Sequence, residues 1–123
     1  MSKDSPRSVH ETFEAAFNAG DLETIVALYE PDAILISAPG KAVRGHEAVR
    51  QMLHKFLAVS EKLTLQVAGV FEIDEIALLT SEWQISGIDQ QGKAVQLAGQ
   101  MDDVVRRQKN GSWRIIIDNL WGG

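Results

Sequence analysis

Residues 13–57, FEAAFNAGDLETIVALYEPDAILISAPGKAVRGHEAVRQMLHKFL, decide the architecture. They read as two short helices, a strand entered through Pro31-Asp32, a turn at Pro39-Gly40 and a third helix that opens after Arg44-Gly45. Phe13, Ala16 and Phe17 continue a stripe begun at Val9, with spacings i, i+4, i+7 and i+8 that put them on one helical face. Ser5-Pro6 upstream suits an N-cap followed by proline at the first helical position, and Gly20 ends the helix. Asp21 can cap the second helix, whose inner face would be Leu22, Ile25, Val26, Leu28 and Tyr29. Pro31 stops it, because the residue before a proline is pushed out of the α region. Residues 33–37 form a short apolar strand. In the third helix Val49, Met52, Leu53, Phe56 and Leu57 repeat the helical stripe, while Arg50, Gln51, His54 and Lys55 face away.

Beyond Ser60 the period changes to two. Leu63, Leu65, Val67 and Phe71 alternate with polar residues, and residues 76–87 carry Leu79, Trp83 and Ile85 on one side with Glu82, Gln84 and Ser86 on the other. Asp89 to Gly92 closes a hairpin into a long strand at 94–108, and Asn110-Gly111 turns into a last strand at 113–121. Three helices followed by a four-stranded meander predict a single α+β domain over residues 1–123, with the helices across the concave face of a strongly curved, mainly antiparallel sheet. Such a sheet leaves a tapering apolar cavity, the usual form of a small-molecule site. Its outer face still carries apolar residues that a monomer would expose, so a homodimer through that face is expected.

Composition narrows the function. A net charge of −5 opposes binding to a phosphate backbone, which excludes nucleic acid as the expected partner. The absence of cysteine removes disulfides, thiolate nucleophiles and Cys-ligated metals. No histidine–carboxylate spacing suggests a metal, no phosphate loop suggests a nucleotide, and no cofactor is expected. Neither a signal-peptide h-region nor a run of membrane-spanning length is present, so a cytoplasmic protein without a membrane partner is the default.

The segments FEAAFNAGDLETIVALYEPDAIL, RGHEAVRQML and DDVVRRQKNGSWRIIIDNLWG resemble the nuclear transport factor 2-like superfamily, in particular its SnoaL-like and ketosteroid-isomerase-like bacterial members. The last segment is most similar to the small SgcJ/EcaC-type and calcium/calmodulin-kinase association-domain-like subgroup, with an acidic residue ahead of an Arg-Arg pair, a turn and a Trp-Arg. The resemblance implies a cone-shaped fold and leaves the reaction open, since the same cone hosts isomerases, cyclases, dehydratases, hydrolases and binding modules. Ketosteroid isomerases use a tyrosine, a carboxylate base and a protonated aspartic acid. Those positions fall here on Phe13, on Ser37 and near Met101, Asp102 or Asp103, so that mechanism is not expected.

Asp103 is the leading chemical candidate. If it shares the concave face with Leu97, Met101 and Val105, burial would raise its pKa and suit it to acid or base duty; if not, it is an aspartate satisfied by Arg106, Arg107, Arg114 or a backbone donor. Asn119 and Trp121 lie in phase with Trp113, Ile115 and Ile117 and read as pocket wall, with Asn119 offering a hydrogen bond. Trp83 and Met101 would wall the same cavity, Tyr29 could aim its hydroxyl into it from the second helix, and Ser37 sits where the relatives keep a functional residue. The histidines read as bystanders: His54 as solvated, His46 as a helix-start residue, and His10 as lying off the apolar stripe. The expected ligand is a small apolar organic molecule, acted on by cofactor-free acid–base chemistry such as isomerisation, dehydration or hydrolysis. The alternative is a non-catalytic association module.

Overall fold

The computed structural model describes residues 5–122. Among them are three helices, α1 (Pro6–Asn18), α2 (Leu22–Ala27) and α3 (His46–Val59), and six strands, β1 (Tyr29–Ala38), β2 (Lys41–Arg44), β3 (Ser60–Ile73), β4 (Ile76–Ile88), β5 (Ala94–Arg107) and β6 (Trp113–Asn119). The strands form one curved mixed sheet in the order β2-β1-β6-β5-β4-β3, antiparallel except where β1 runs parallel to β6. The helix starts follow their capping chemistry. The Ser5 hydroxyl accepts from the Ser8 N–H, and the Asp21 carboxylate accepts from both the N–H and the hydroxyl of Thr24.

Two elements depart from the sequence reading. Tyr29 is the first residue of β1 and not part of the second helix. The Leu28 carbonyl accepts from the Ile115 N–H at 2.7 Å, which draws the chain into the sheet one turn early. Pro31 does no harm there, because the β1–β6 register is broken between Tyr29 and Ile34 and no ladder donor is missing. Residues 41–44, which lie between the expected Pro39-Gly40 turn and the third helix and belong to no expected element, pair with β1 as a hairpin arm (Leu35 opposite Val43, Ile36 opposite Ala42).

Interruptions of register shape the sheet. One lies in β3 between Val67 and Gly69, and another in β6 opposite Val104 and Val105. An extra residue on one strand bends it and increases twist. The second interruption also resets which β6 side chains point inward: Trp113 and Ile115 are buried before it, Asp118 and Leu120 after it, and Ile117 is 36% exposed. The edge strand β3 is closed off along part of its length by α1. Asn18 accepts from the Leu63 N–H at 2.7 Å and donates to the Leu63 carbonyl at 2.8 Å, and one helical turn earlier Glu14 accepts from the Leu65 N–H at 2.7 Å. Backbone groups that would otherwise invite another strand are thereby satisfied.

The core lies between the helices and the inner face of the sheet. Val9, Phe13, Ala16 and Phe17 of α1 are buried there, with Val49 and Leu53 of α3. Met52, Phe56 and Leu57 of α3 are only partly buried against it. On the opposite face a continuous cross-strand apolar row runs Phe71, Leu78, Val104, Ile117, Ile34, each opposite the next in register. Phe71 and Leu78 are 64% and 40% exposed.

Candidate functional site

The most heavily buried polar groups in the structure converge from five elements. His10 on α1, Tyr29 on β1, Ser81 on β4, Asp103 on β5 and Asp118 on β6 each have zero relative exposure. The periodicities explain the convergence. His10 stands three residues before Phe13 and seven before Phe17, so it shares their face. Ser81 alternates in phase with Leu79 and Trp83. Asp103 alternates with Met101 and Val105, and the β6 irregularity turns Asp118 inward directly across from Asp103.

The groups form one hydrogen-bonded chain. Nε2 of His10 lies 2.7 Å from Oδ2 of Asp103, and Nδ1 lies 2.6 Å from the Ser81 hydroxyl. With Nε2–H serving the carboxylate, Nδ1 is the acceptor and Ser81 the donor. At the other end the Tyr29 hydroxyl donates to Oδ2 of Asp118. Oδ1 of each aspartate has no conventional donor, and the two side chains interact as a hydrogen-bonded pair. Two acceptors can pair only through a proton held by one of them. Asp118 is that one: burial and the neighbouring Asp103 charge hold its carboxyl protonated far above the ordinary range. Asp103, which receives the His10 N–H, is pushed up by burial only to about 7. Desolvation also lowers His10 to about 4, so its imidazole is neutral, and it raises the Tyr29 phenol. The set therefore carries one net negative charge when Asp103 is ionised.

Ser81, His10 and Asp103 stand in the order of a hydrolytic triad, but the hydroxyl is sealed in the core with no exposure to solvent. The arrangement suits proton transfer and not nucleophilic attack. Among the described residues no group of three or more His, Asp or Glu side chains is arranged to hold a metal ion.

Next to this polar set is a cavity of about 30 Å³, lined without a single polar side chain apart from the indole of Trp83. Its walls include Phe13 and Phe17 of α1, Leu53 and Phe56 of α3, Trp83, Met101 and Leu120. The cavity and the polar set are stacked layers. Phe13 follows His10 by one helical turn, Trp83 follows Ser81 by two residues, and Met101 precedes Asp103 by two, a spacing of roughly 7 Å along a strand.

The sequence-selected residues are thus divided. Trp83 and Met101 line the cavity. Asp103 and Tyr29 belong to the polar set and do not line the cavity, and Tyr29 is committed to Asp118. Trp121 packs edge-on to Trp83 with centroids 5.3 Å apart, its Nε1–H donating to the Ser37 carbonyl at 2.7 Å, so Ser37 contributes backbone here. Asn119 is not a pocket handle. The β6 irregularity places it opposite Asp102 and out of phase with Asp118, and its side chain accepts from the Trp121 N–H. His10 is the chief correction, since it lies on the buried face and not off it. Its i, i+3, i+7 relation to Phe13 and Phe17 was a legible signal, as was the inward phase of Ser81. Asp118 had none, because three consecutive isoleucines hide the change of phase. His46 does more than start α3, its Nε2–H donating to the Tyr29 carbonyl at 2.8 Å.

The model of the SnoaL-like domain matches residues 9–116. The chain belongs to the SnoaL-like family. Solved structures share the fold at low identity. A ketosteroid isomerase-like protein from Erwinia carotovora atroseptica superimposes with a TM-score of 0.82 at 20% identity, over 96% of this chain and 93% of that one. A conserved protein from Planctomyces limnophilus gives 0.80 at 18% identity over 92% and 89%. A protein of the NTF2-like family from Streptomyces avermitilis gives 0.74 at 18% identity over 92% and 90%. A comparison with curated proteins gives no match. The SnoaL-like family includes ligand-binding proteins and some enzymes, and among the described residues of this member no helix is long and apolar enough to cross a membrane.

Proposed function

We propose that this SnoaL-like domain binds a small, largely apolar organic molecule in the cavity under α1 and α3, and that the buried polar set supplies cofactor-free acid–base chemistry at its floor. The observation that carries this reading is the Asp103–Asp118 pair with His10. Burying two carboxyls and an imidazole costs several kcal/mol per ionised group before compensation, an expense that concentrates where chemistry is done. Asp103 is the group poised near neutrality, able to take a proton from a bound molecule or return it; His10 holds its Oδ2, and Asp118 stands across from it in register. The partly buried Phe56 of α3, which lines the cavity, is the wall that yields to enlarge it. Native mass spectrometry on gently purified protein tests the reading. The expected result is a retained organic molecule, released on denaturation, whose turnover is lost in Asp103→Asn while the fold persists. Protein that is empty and also shows no change in thermal stability with a panel of neutral aromatic and alicyclic compounds would remove it.

The exposed row Phe71–Leu78–Val104–Ile117–Ile34 supports a second reading, association of two copies through the outer sheet face. A twofold axis crossing a single apolar row would bury it against itself. Leu78 is an exposed member of the row, so Leu78→Lys is expected to convert a dimer into a monomer in sedimentation velocity with little change in circular dichroism. A wild-type monomer at all concentrations tested would end this reading without affecting the first.

A further inference from the structure

The apolar cavity and the acid–base set do not communicate in the closed structure, although their residues alternate along the same elements. Three cavity-lining residues lie next to the polar set along their elements: Phe13 one helical turn from His10, Trp83 two residues from Ser81, and Met101 two residues from Asp103 and opposite Ser81 in register. The three are held differently. Trp83 is pinned by its Nε1–H to the Leu120 carbonyl at 2.7 Å and lies against Gly99, where a side chain would meet the indole at 3.0 Å. Phe13 is stacked on Phe17, rings nearly parallel and 6.1 Å apart. Met101 has no polar anchor and three side-chain torsions, and its cross-strand partner is the smallest residue of the polar set, Ser81.

We infer that Met101 is the gate between cavity and polar set: its side chain swings aside to let the polar atom of a cavity-bound ligand reach His10 and Asp103. This rests on the cavity reading above and adds the route by which the two layers meet. It also specifies the ligand. The walls accept an uncharged apolar body, and the polar set holds two carboxyl groups and no Lys or Arg, so the group that reaches through is a neutral hydroxyl or carbonyl and not a carboxylate or phosphate. Met101 is a positioning residue in this scheme and takes no part in proton transfer.

Toluene and phenol separate the two layers, since toluene can occupy only the apolar cavity and phenol can also extend a hydroxyl. Binding is followed by histidine ring resonances, with His46 and His54 as internal references. In the wild type, phenol is expected to move the His10 signals and toluene to leave them in place. Met101→Leu, close in volume and well tolerated in cores, is expected to keep toluene binding and lose the phenol effect on His10. Met101→Ala removes the partition and is expected to raise the phenol-to-toluene affinity ratio at least tenfold over Met101→Leu. A ratio unchanged across the three proteins, with toluene bound, would overturn the gate and leave the cavity standing. Failure of both compounds to bind wild type and Met101→Ala would remove the cavity reading and the gate with it.

Discussion

The stability of this protein is expected to fall as the pH rises above the ordinary aspartate range, and Asp118→Asn is expected to flatten that dependence. The sign follows from three buried groups. Asp118 keeps its proton in the fold far above the 3.8 of an unfolded aspartate, so the folded state binds about one extra proton from roughly pH 4 upward. Stability then declines with pH, by about 1.4 kcal/mol per unit for one proton. Asp103, raised to about 7, adds a second such proton between 3.8 and 7. His10, lowered to about 4, binds one fewer than the unfolded chain between about 4 and 6.5, and so offsets Asp103 over most of that interval. Below this range the trend reverses. Glu30, held down to about 2 chiefly by its hydrogen bonds from Arg106, contributes stability that is present above its unfolded value and lost as the pH falls through its folded one. The maximum should lie on the acid side of neutrality. An asparagine at 118 has the shape of the protonated acid, with an N–H for Asp103 and an oxygen for the Tyr29 hydroxyl. Urea denaturation at pH 5, 6.5 and 8 checks this: the variant should lose less stability than wild type between pH 5 and 8, and an unchanged slope would show that the shared proton is misassigned.

His10→Ala is expected to cost about 3–5 kcal/mol at pH 7, a large share of the roughly 5–15 kcal/mol that holds a domain folded. Three losses add. Asp103 loses its charge-assisted donor at 2.7 Å, Ser81 loses its acceptor at 2.6 Å, and a cavity replaces the imidazole. Because Asp103→Asn disturbs the same bond from its other side, a double-mutant cycle should be strongly non-additive, with a coupling of roughly 1–3 kcal/mol. Additive effects in urea titrations would mean that the two residues are not one unit. His54→Ala, on the solvated side of α3, should fall within about 0.5 kcal/mol of wild type by the same measurement.

Where the chain's own periodicity sets the structure, the sequence could be read. The stripes of α1 and α3, the Pro39-Gly40 and Asn110-Gly111 turns and the alternation of β4 and β5 follow from local spacing, and they carried the fold and the inward orientation of Asp103. What could not be read depends on partners distant in sequence. Tyr29 leaves the helical pattern because β6 pulls it into the sheet, and Asp118 turns inward because one irregularity among Ile115, Ile116 and Ile117 shifts the phase. His10 lies between these cases. Its spacing to Phe13 and Phe17 was visible, but Val9, Phe13, Ala16 and Phe17 make a stripe without it, and its role depends on Asp103 and Ser81, 93 and 71 residues away.

The strand order has a bearing on how the protein is made. β6 is translated after the other five strands, yet it lies in the interior of the sheet, with β1 on one side and β5 on the other. Until it emerges from the ribosome, the β1–β2 hairpin and the β3–β4–β5 meander are separate fragments, each with an unpaired interior edge, and Asp103 and Tyr29 have no Asp118 to meet. At roughly 5–20 residues per second that interval lasts for seconds, long enough for chaperones to engage the exposed edges. Completion of the sheet thereby waits for β6, and the same late strand also brings in the last member of the polar set.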